Sequence, residues 1–279
     1  MMQARLSKRS LRFIKRRIEF LKNTDLKKAS IEYLKEYLFD LLEPYTSATI
    51  SVGDNTSVFR ARKNNGNALF ESVNELWYPP RSIIKQYGRA NNIGQTLFYC
   101  AADEAIAILE LRPAINDIIT ILECKFTSSK TPILIPLGIY ELTKEYGVKI
   151  AGPSIDHECE IKSWLNNNES NYKKNSLIGK FITDEFKKVI NQGNDDEYKM
   201  IVAISELLFS FEGIDGITYP SIASGLINAN LALLPQAVDS MCKPVACQVV
   251  KVIEQTGDST FKVAGQKAKA IESSGRIEW

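Results

Sequence analysis

The hydrophobic pattern of this 279-residue chain changes its period part-way along. Apolar residues recur every three or four positions through 11–42, which predicts two amphipathic helices with a break at 23–25. From Val58 onward the apolar residues form short alternating or continuous runs, which predict strands instead. These strands are expected at 58–62, 96–100, 118–126, 132–136, 231–234 and 246–253, with the last two closing a sheet.

Further helices are expected among the strands, but not in strict alternation with them. Asp103 is placed to cap a helix that ends before Pro113, and the apolar spacing within 197–211 predicts another helix. This order predicts an α+β fold, a twisted β-sheet core with flanking helices, and not a parallel βαβ array. The expected parts are a helical N-terminal extension at 1–47, a main domain at 56–265 and a C-terminal tail at 266–279.

The composition is typical of a globular protein, with 44% apolar and 24% charged residues. No apolar run approaches the roughly 20 residues that cross a bilayer. The N-terminal segment interleaves charges with its apolar residues and lacks the core of a signal peptide. We therefore expect a cytoplasmic protein without a membrane partner.

The single histidine and the cysteine spacing argue against several kinds of site. Five cysteines without a CxxC pair predict buried free thiols in a reducing compartment. The one histidine, His157, has a single cysteine near it, Cys159, so neither a zinc site nor a catalytic triad is expected. Neither a GxGxxG motif nor a P-loop occurs, which excludes those two kinds of nucleotide site.

The net charge of +2 is unevenly distributed. Residues 1–28 contain ten lysines and arginines against two acidic residues. A solvated helix face is the favoured interpretation, while contact with nucleic acid or an acidic partner stays open.

Three residue types suited to nucleotide chemistry follow one another in the chain. Arg89 lies in a loop rich in glycine and asparagine, where a planar guanidinium can hold a pyrophosphate or form a surface salt bridge. Tyr99 ends an apolar strand and either stacks on a heterocycle or belongs to the core. Glu110 stands in an otherwise apolar stretch, so its carboxylate is either paired with a cation such as Arg112 or faces the positive charge of a breaking glycosidic bond.

Three other polar residues are candidates for substrate binding. Asn91 shares the loop of Arg89. Arg60 and Arg62 alternate along a predicted strand and are expected on opposite faces of the sheet. At most one of them is therefore expected to point into a site, and Arg60 is the choice. Ser221 follows a proline at a predicted turn, where it either bonds a ligand or caps the turn.

These residues and the motifs around them resemble the RES-domain family, named for its Arg, Glu and Ser. The resemblance covers about 56–250 and ends with an asparagine and an apolar strand. It is carried, in order, by Phe59-Arg60, Trp77-x-Pro79-Pro80, Gly88-Arg89-Ala90-Asn91, Phe98-Tyr99, Glu110 and Gly213-Ile214-Asp215-Gly216-Ile217-x-Tyr219-Pro220-Ser221. The resemblance implies an ADP-ribosyltransferase-like core that uses NAD⁺ as substrate, with no other cofactor and no metal.

Members of that family are typically toxins of bacterial toxin–antitoxin pairs, which deplete NAD⁺ by hydrolysis or phosphorolysis and are neutralised by an Xre-like antitoxin. The resemblance implies that Glu110, Tyr99 and Arg89 are catalytic and that Arg60, Arg89, Asn91, Tyr99 and Ser221 bind the substrate. Glu110 would steady the ribose in the transition state, and Tyr99 would stack on the nicotinamide end. Compact toxins of the family lack an extension like 1–47, so an Xre-like antitoxin, another partner and self-association all stay open.

Three functions follow from the sequence. The favoured one is an NAD⁺-consuming, toxin-like glycohydrolase or phosphorylase. One alternative is an ADP-ribosyltransferase that modifies a protein or another macromolecule. The other is a non-catalytic module that binds a nucleotide or nucleic acid, with nucleic acid the less favoured ligand.

Overall fold

A computed structural model describes residues 8–127, 131–139, 141–142, 167–191, 193–226, 228–257 and 260–279. His157 and Cys159 lie outside these ranges. The helices are α1 (Leu11–Lys22), α2 (Ile31–Leu42), α3 (Val73–Leu76), α4 (Glu104–Glu110), α5 (Glu169–Phe186), α6 (Tyr198–Phe209) and α7 (Pro235–Met241), with 3₁₀ turns at Arg81–Ile83 and Asp195–Glu197. Within the described ranges, none of these helices combines the length and the apolar character needed to cross a membrane.

The strands pair in both parallel and antiparallel fashion. They are β1 (Ile50–Ser51), β2 (Ser57–Lys63), β3 (Phe98–Ala101), β4 (Ile118–Phe126), β5 (Ile133–Pro136), β6 (Gly216–Pro220), β7 (Ala229–Leu233), β8 (Cys242–Gly257), β9 (Thr260–Lys267), β10 (Ala270–Ile271) and β11 (Ile277–Glu278). Helices and strands that mix without regular alternation confirm the predicted α+β class with N-terminal helices.

The described residues form two compact units, each drawn from separate parts of the chain. Unit 1 comes from Met1–Ile50, Ile84–Gln95 and Ile133–Pro220. Unit 2 comes from Ser51–Ile83, Thr96–Pro132 and Ser221–Trp279. The domain boundaries expected from the sequence stay a prediction.

Unit 1 is mainly helical. The hydroxyls of Ser10 and Ser30 cap α1 and α2 by accepting hydrogen bonds from amides of the first turn, which fixes where each helix begins. Both predicted amphipathic helices are confirmed, since their regular apolar positions are the buried ones. These are Ile14 and Leu21 in α1, and Ile31, Leu34, Leu38, Leu41 and Leu42 in α2. In the same unit, β5 and β6 pair in parallel.

Unit 2 is built on six antiparallel strands in the order β7-β3-β2-β4-β8-β9. The sequence predicted that the strand at 246–253 closes the sheet. The structure differs, because β9 continues the sheet by pairing with β8 from Thr260 to Lys267. The side chains of β9 are almost all exposed, so the strand carries no hydrophobic pattern that could reveal it. The short pair β10 and β11 follows.

Helix α4 lies on this sheet and positions the candidate site. Its residues 106–108 are buried against Phe59 and Ala61 of β2. Asp103 caps the helix as predicted, with its carboxylate accepting from two first-turn amides. Glu110 is therefore the last helical residue of α4.

Candidate active site

The carboxylate of Glu110 is the centre of a small polar cluster in unit 2. Its Oε1 accepts a hydrogen bond from Ser221 Oγ at 2.5 Å and another from Asn230 Nδ2 at 2.6 Å. Glu110 is exposed, whereas the exposed fractions of Ser221 and Asn230 are 0% and 5%. The cluster thus holds a solvent-accessible carboxylate from its buried side.

The sheet brings the three residues together from distant parts of the chain. Strand β3 leads into α4, and it pairs with β7 so that Ala101 lies opposite Asn230. Ser221 begins the connection to β7, and its amide donates to the carbonyl of Asn228 at 2.7 Å. Glu110, Ser221 and Asn230 are therefore placed by backbone pairing and not by sequence proximity.

Neutral groups, and not a cation, hold the carboxylate of Glu110. The sequence left open a pairing with Arg112 or another arginine. Within the described part of the chain, Glu110 takes part in no ion pair, and its two hydrogen-bond donors are a hydroxyl and an amide. The negative charge therefore remains available to a ligand.

Arg60 is engaged with the main chain of unit 2. Its Nε donates to Leu76 O and its Nη1 to Tyr99 O, both at 2.8 Å. Its guanidinium lies 5.3 Å from the ring centroid of Phe98. Burial lowers the pKa of Arg60 to about 10, with a smaller contribution from the charge of Arg62, so Arg60 is a cation at neutral pH.

Arg60 and Arg62 are two positions apart on β2 and therefore share one face of the strand. Both guanidiniums donate to carbonyls of α3, Arg60 to Leu76 O and Arg62 to Glu75 O. The expectation that the two side chains separate is wrong, because the period of a strand is two residues.

Arg89 caps the end of a helix in unit 1. Its Nη1 donates to Lys188 O at 2.8 Å and to Phe186 O at 3.4 Å, at the C-terminus of α5. Its guanidinium also lies 5.7 Å from the ring centroid of Tyr198. A cation at this position satisfies terminal carbonyls and is favoured by the helix dipole.

The loop around Arg89 is a closed turn. Its amides donate within the protein, from Gly88 to Asn91 O, from Asn92 to Gln95 Oε1, from Ile93 to Asn92 Oδ1 and from Gly94 to Ile84 O. Gly94 has a φ of 74°, which favours glycine. Asn91 is 7% exposed, and its Nδ2 donates to Asn92 O at 2.9 Å. These amides therefore do not form an open cradle for an anion.

The predicted site residues divide between the two units. Arg60, Tyr99, Glu110 and Ser221 belong to unit 2, where hydrogen bonds link Arg60 with Tyr99 and Glu110 with Ser221. Tyr99 is partly buried in β3, opposite Ala232. Arg89 and Asn91 belong to unit 1. The binding and catalytic roles expected of all these residues stay predictions.

Asn230 is the member of the cluster that the sequence did not single out as a site residue. The motif that ends at Ser221 is followed by an asparagine and an apolar strand, and this was the only available signal. An asparagine that lies in a buried strand and is itself buried has to satisfy its amide, and Asn230 does so on Glu110.

The structure describes four cysteines, Cys100, Cys124, Cys242 and Cys247, all of them buried free thiols. Burial raises the pKa of Cys100, and a hydrogen bond with Cys242 together with burial raises that of Cys124. These two thiols are protonated at neutral pH and poorly suited to act as nucleophiles. No group of three or more histidine, cysteine and acidic residues that could hold a metal occurs in the described ranges.

The basic N-terminal segment is partly neutralised within unit 1. Arg9 and Arg17 both contact Asp40, at 2.6 and 3.0 Å. Five other cations of the segment are exposed and form no ion pair with any residue that the structure describes. They are Lys8, Arg12, Lys15, Arg16 and Lys27.

Comparison with known proteins leaves the family of this chain as a prediction. No protein-family model matches the sequence, and no curated protein is significantly similar to it. The RES-domain resemblance therefore rests on the residues and motifs quoted above.

Proposed function

We propose that this protein is an NAD⁺-consuming enzyme that cleaves the bond between nicotinamide and ribose. The observation that supports this proposal is the exposed carboxylate of Glu110, held at Oε1 by Ser221 and Asn230. A fixed carboxylate that faces solvent and is not paired with a cation can bind a ribose hydroxyl. It can also stabilise positive charge on the adjacent sugar carbon.

The reaction needs little acid–base chemistry from the protein. When the bond between the ribose C1 and the pyridinium nitrogen breaks, the electron pair leaves with the nitrogen, and nicotinamide departs as a neutral molecule. The leaving group therefore needs no proton, and the ribose becomes oxocarbenium-like. A carboxylate stabilises this transition state more than the ground state, which is the requirement for catalysis.

Water or phosphate then captures the ribose carbon. Attack by water forms a C–O bond and gives ADP-ribose, and the proton of the water is released to solvent. Attack by inorganic phosphate gives ADP-ribose 1-phosphate. The proposal covers both acceptors, as a glycohydrolase or as a phosphorylase.

The other predicted residues complete the proposal. Within unit 2, Tyr99 stacks on the nicotinamide end and Arg60 binds the dinucleotide, while the binding roles of Arg89 and Asn91 in unit 1 stay expectations from the resemblance. Removal of NAD⁺ inside a cell is toxic, so the proposal extends to a toxin of the RES type that acts in the cytoplasm and is neutralised by an Xre-like antitoxin. The proposal includes NAD⁺ as the substrate, with no metal and no other cofactor.

Product analysis tests the proposal. Purified protein is incubated with NAD⁺, with and without phosphate, and the products are separated by chromatography and identified by mass. Nicotinamide together with ADP-ribose or its phosphate is the expected result. A covalent, acid-precipitable adduct made from labelled NAD⁺ would instead identify an ADP-ribosyltransferase. A folded protein that leaves NAD⁺ intact under both conditions would overturn the proposal.

A further inference from the structure

We infer that Ser221 and Asn230 are positioning residues, which occupy Oε1 of Glu110 and leave its Oε2 to face the substrate. The inference rests on the proposed function, and it changes the role of Ser221 from a ligand of the substrate to a support for the carboxylate. It also assigns a role to Asn230.

Ser221 is placed to act on Glu110 and not on a substrate. Its side chain is fully buried, with an exposed fraction of 0%. Its Oγ accepts from the amide of Ser224 at 3.2 Å, and the hydroxyl proton is therefore free to be donated to Glu110 Oε1. Both functions of the hydroxyl are satisfied inside the protein.

Asn230 acts on the same oxygen. Its Nδ2 reaches Oε1 of Glu110 at 2.6 Å from a position that is 5% exposed. Only the amide nitrogen can face a carboxylate favourably, since the amide oxygen would repel it. Both contacts have the short lengths of hydrogen bonds to a charged acceptor.

Two donors on Oε1 determine which oxygen is left for a ligand. A carboxylate oxygen has two main acceptor positions, and at Oε1 both are taken. No residue in the described ranges donates a hydrogen bond to Oε2. Because Glu110 is exposed, Oε2 is the oxygen that a ribose hydroxyl or a developing positive charge meets.

Fixing the carboxylate lowers the reorganisation needed in the transition state. A glutamate without these donors samples several rotamers. We therefore expect Asn230→Ala and Ser221→Ala each to lower kcat roughly 10- to 100-fold, the range for a hydrogen bond to a charged group, with KM unchanged. Asn228→Ala is the matched control. The main-chain carbonyl of Asn228 accepts a hydrogen bond from the amide of Ser221, and this contact is retained when the side chain is removed.

A double-mutant cycle separates positioning from other roles. If Asn230 acts through Glu110, then Asn230→Ala causes no further loss of nicotinamide release in a Glu110→Ala background. Losses that multiply in the double variant would overturn the inference. Ser221→Ala is tested in the same cycle, so the answer stands even if Asn230→Ala does not fold.

A second readout is independent of turnover. In protein labelled with ¹⁵N-asparagine, the side-chain amide of Asn230 is identified by its loss in Asn230→Asp. We expect its proton resonance to be shifted downfield in the wild type and to return to the position of a free amide in Glu110→Ala. An identical resonance in both proteins would overturn the inference. A shifted resonance in a protein that does not cleave NAD⁺ would overturn the proposed function and leave the positioning of Glu110 standing.

Discussion

Asn230 donates a hydrogen bond to Glu110 over 2.6 Å, although the two residues are separated by 120 positions in the sequence. The pairing of β3 with β7 makes this contact possible, since Glu110 ends the helix that follows β3 and Asn230 lies on β7. The relationship turns an isolated glutamate of an apolar helix into a held carboxylate, and the proposed chemistry depends on it.

The cap of α4 contributes to the stability of unit 2. Asp103→Ala removes the acceptor for two amides at the start of this seven-residue helix. We expect the free energy of unfolding to fall by about 1 kcal/mol, while Asp103→Asn keeps most of the stability because asparagine is an equally good cap. Urea unfolding of the three proteins measures this. Equal stability of Asp103→Ala and the wild type would contradict the assigned cap.

Arg89 is expected to matter for stability whether or not it binds NAD⁺. Arg89→Ala leaves carbonyls at the end of α5 without their charged donor, which costs about 1–3 kcal/mol of unfolding free energy. Thermal unfolding compares it with Arg81→Ala, which alters an exposed arginine. A larger rise in KM for NAD⁺ in Arg89→Ala than in Arg81→Ala would support the predicted binding role of Arg89 as well. A variant as stable as the wild type would exclude the capping role.

The sequence predicted the parts of the fold in which local pattern and burial coincide. Helix α2 was predictable because Leu34, Leu38 and Leu41 lie on one face and are all buried. Strand β9 was not, because a strand at the end of a sheet with exposed side chains needs no apolar alternation. An apolar pattern arises in a sequence where regularly spaced side chains are buried. The pattern therefore reveals α2 and does not reveal β9.

The candidate site was predictable in its residue types but not in its contacts. Glu110 stood out because a carboxylate is unusual among apolar neighbours. Its partners could not be found from spacing, since the pairing of β3 with β7 sets them at long range. The closed loop of Arg89 could not be foreseen either, because a stretch of glycine and asparagine is equally typical of an anion cradle and of a tight turn.

Asp117 links the stability of unit 2 to pH. Its Oδ2 accepts a hydrogen bond from the amide of Ala114 at 2.8 Å and lies 2.7 Å from Lys63 Nζ. Both contacts lower the pKa of Asp117, and the hydrogen bond from the backbone amide has the larger effect. A carboxylate whose pKa is lower in the folded state stabilises the fold above its unfolded pKa of about 3.9 and loses this effect as pH falls through the folded pKa.

Asp117→Asn should therefore be less stable than the wild type at neutral pH and should approach it as the solution is acidified. Lys63 and Asp117 are both partly exposed, so we expect a difference below about 1 kcal/mol that shrinks at high salt. Urea unfolding from pH 7 towards pH 3 measures the difference. A gap that widens on acidification would reverse the assigned direction.

The exposed cations of the N-terminal segment distinguish a catalytic role from nucleic-acid binding. If the protein bound nucleic acid through Arg12, Lys15 and Arg16, its affinity for a labelled duplex would fall steeply between about 50 and 200 mM salt. We expect no such binding, and we expect charge reversal at these three positions to leave NAD⁺ cleavage unchanged. Tight, salt-sensitive binding that the reversal abolishes would support the non-catalytic alternative instead.

The most direct measurement compares nicotinamide release from NAD⁺ by the wild type, Glu110→Gln and Glu104→Gln. Each variant replaces a charged carboxylate of α4 with a neutral amide. Glu110 is the last residue of this helix and Glu104 is the first. We predict that Glu110→Gln loses on the order of 10²–10³ in rate while remaining folded, the range for one electrostatic stabiliser of a transition state, and that Glu104→Gln keeps the wild-type rate. Full activity in folded Glu110→Gln would contradict the account.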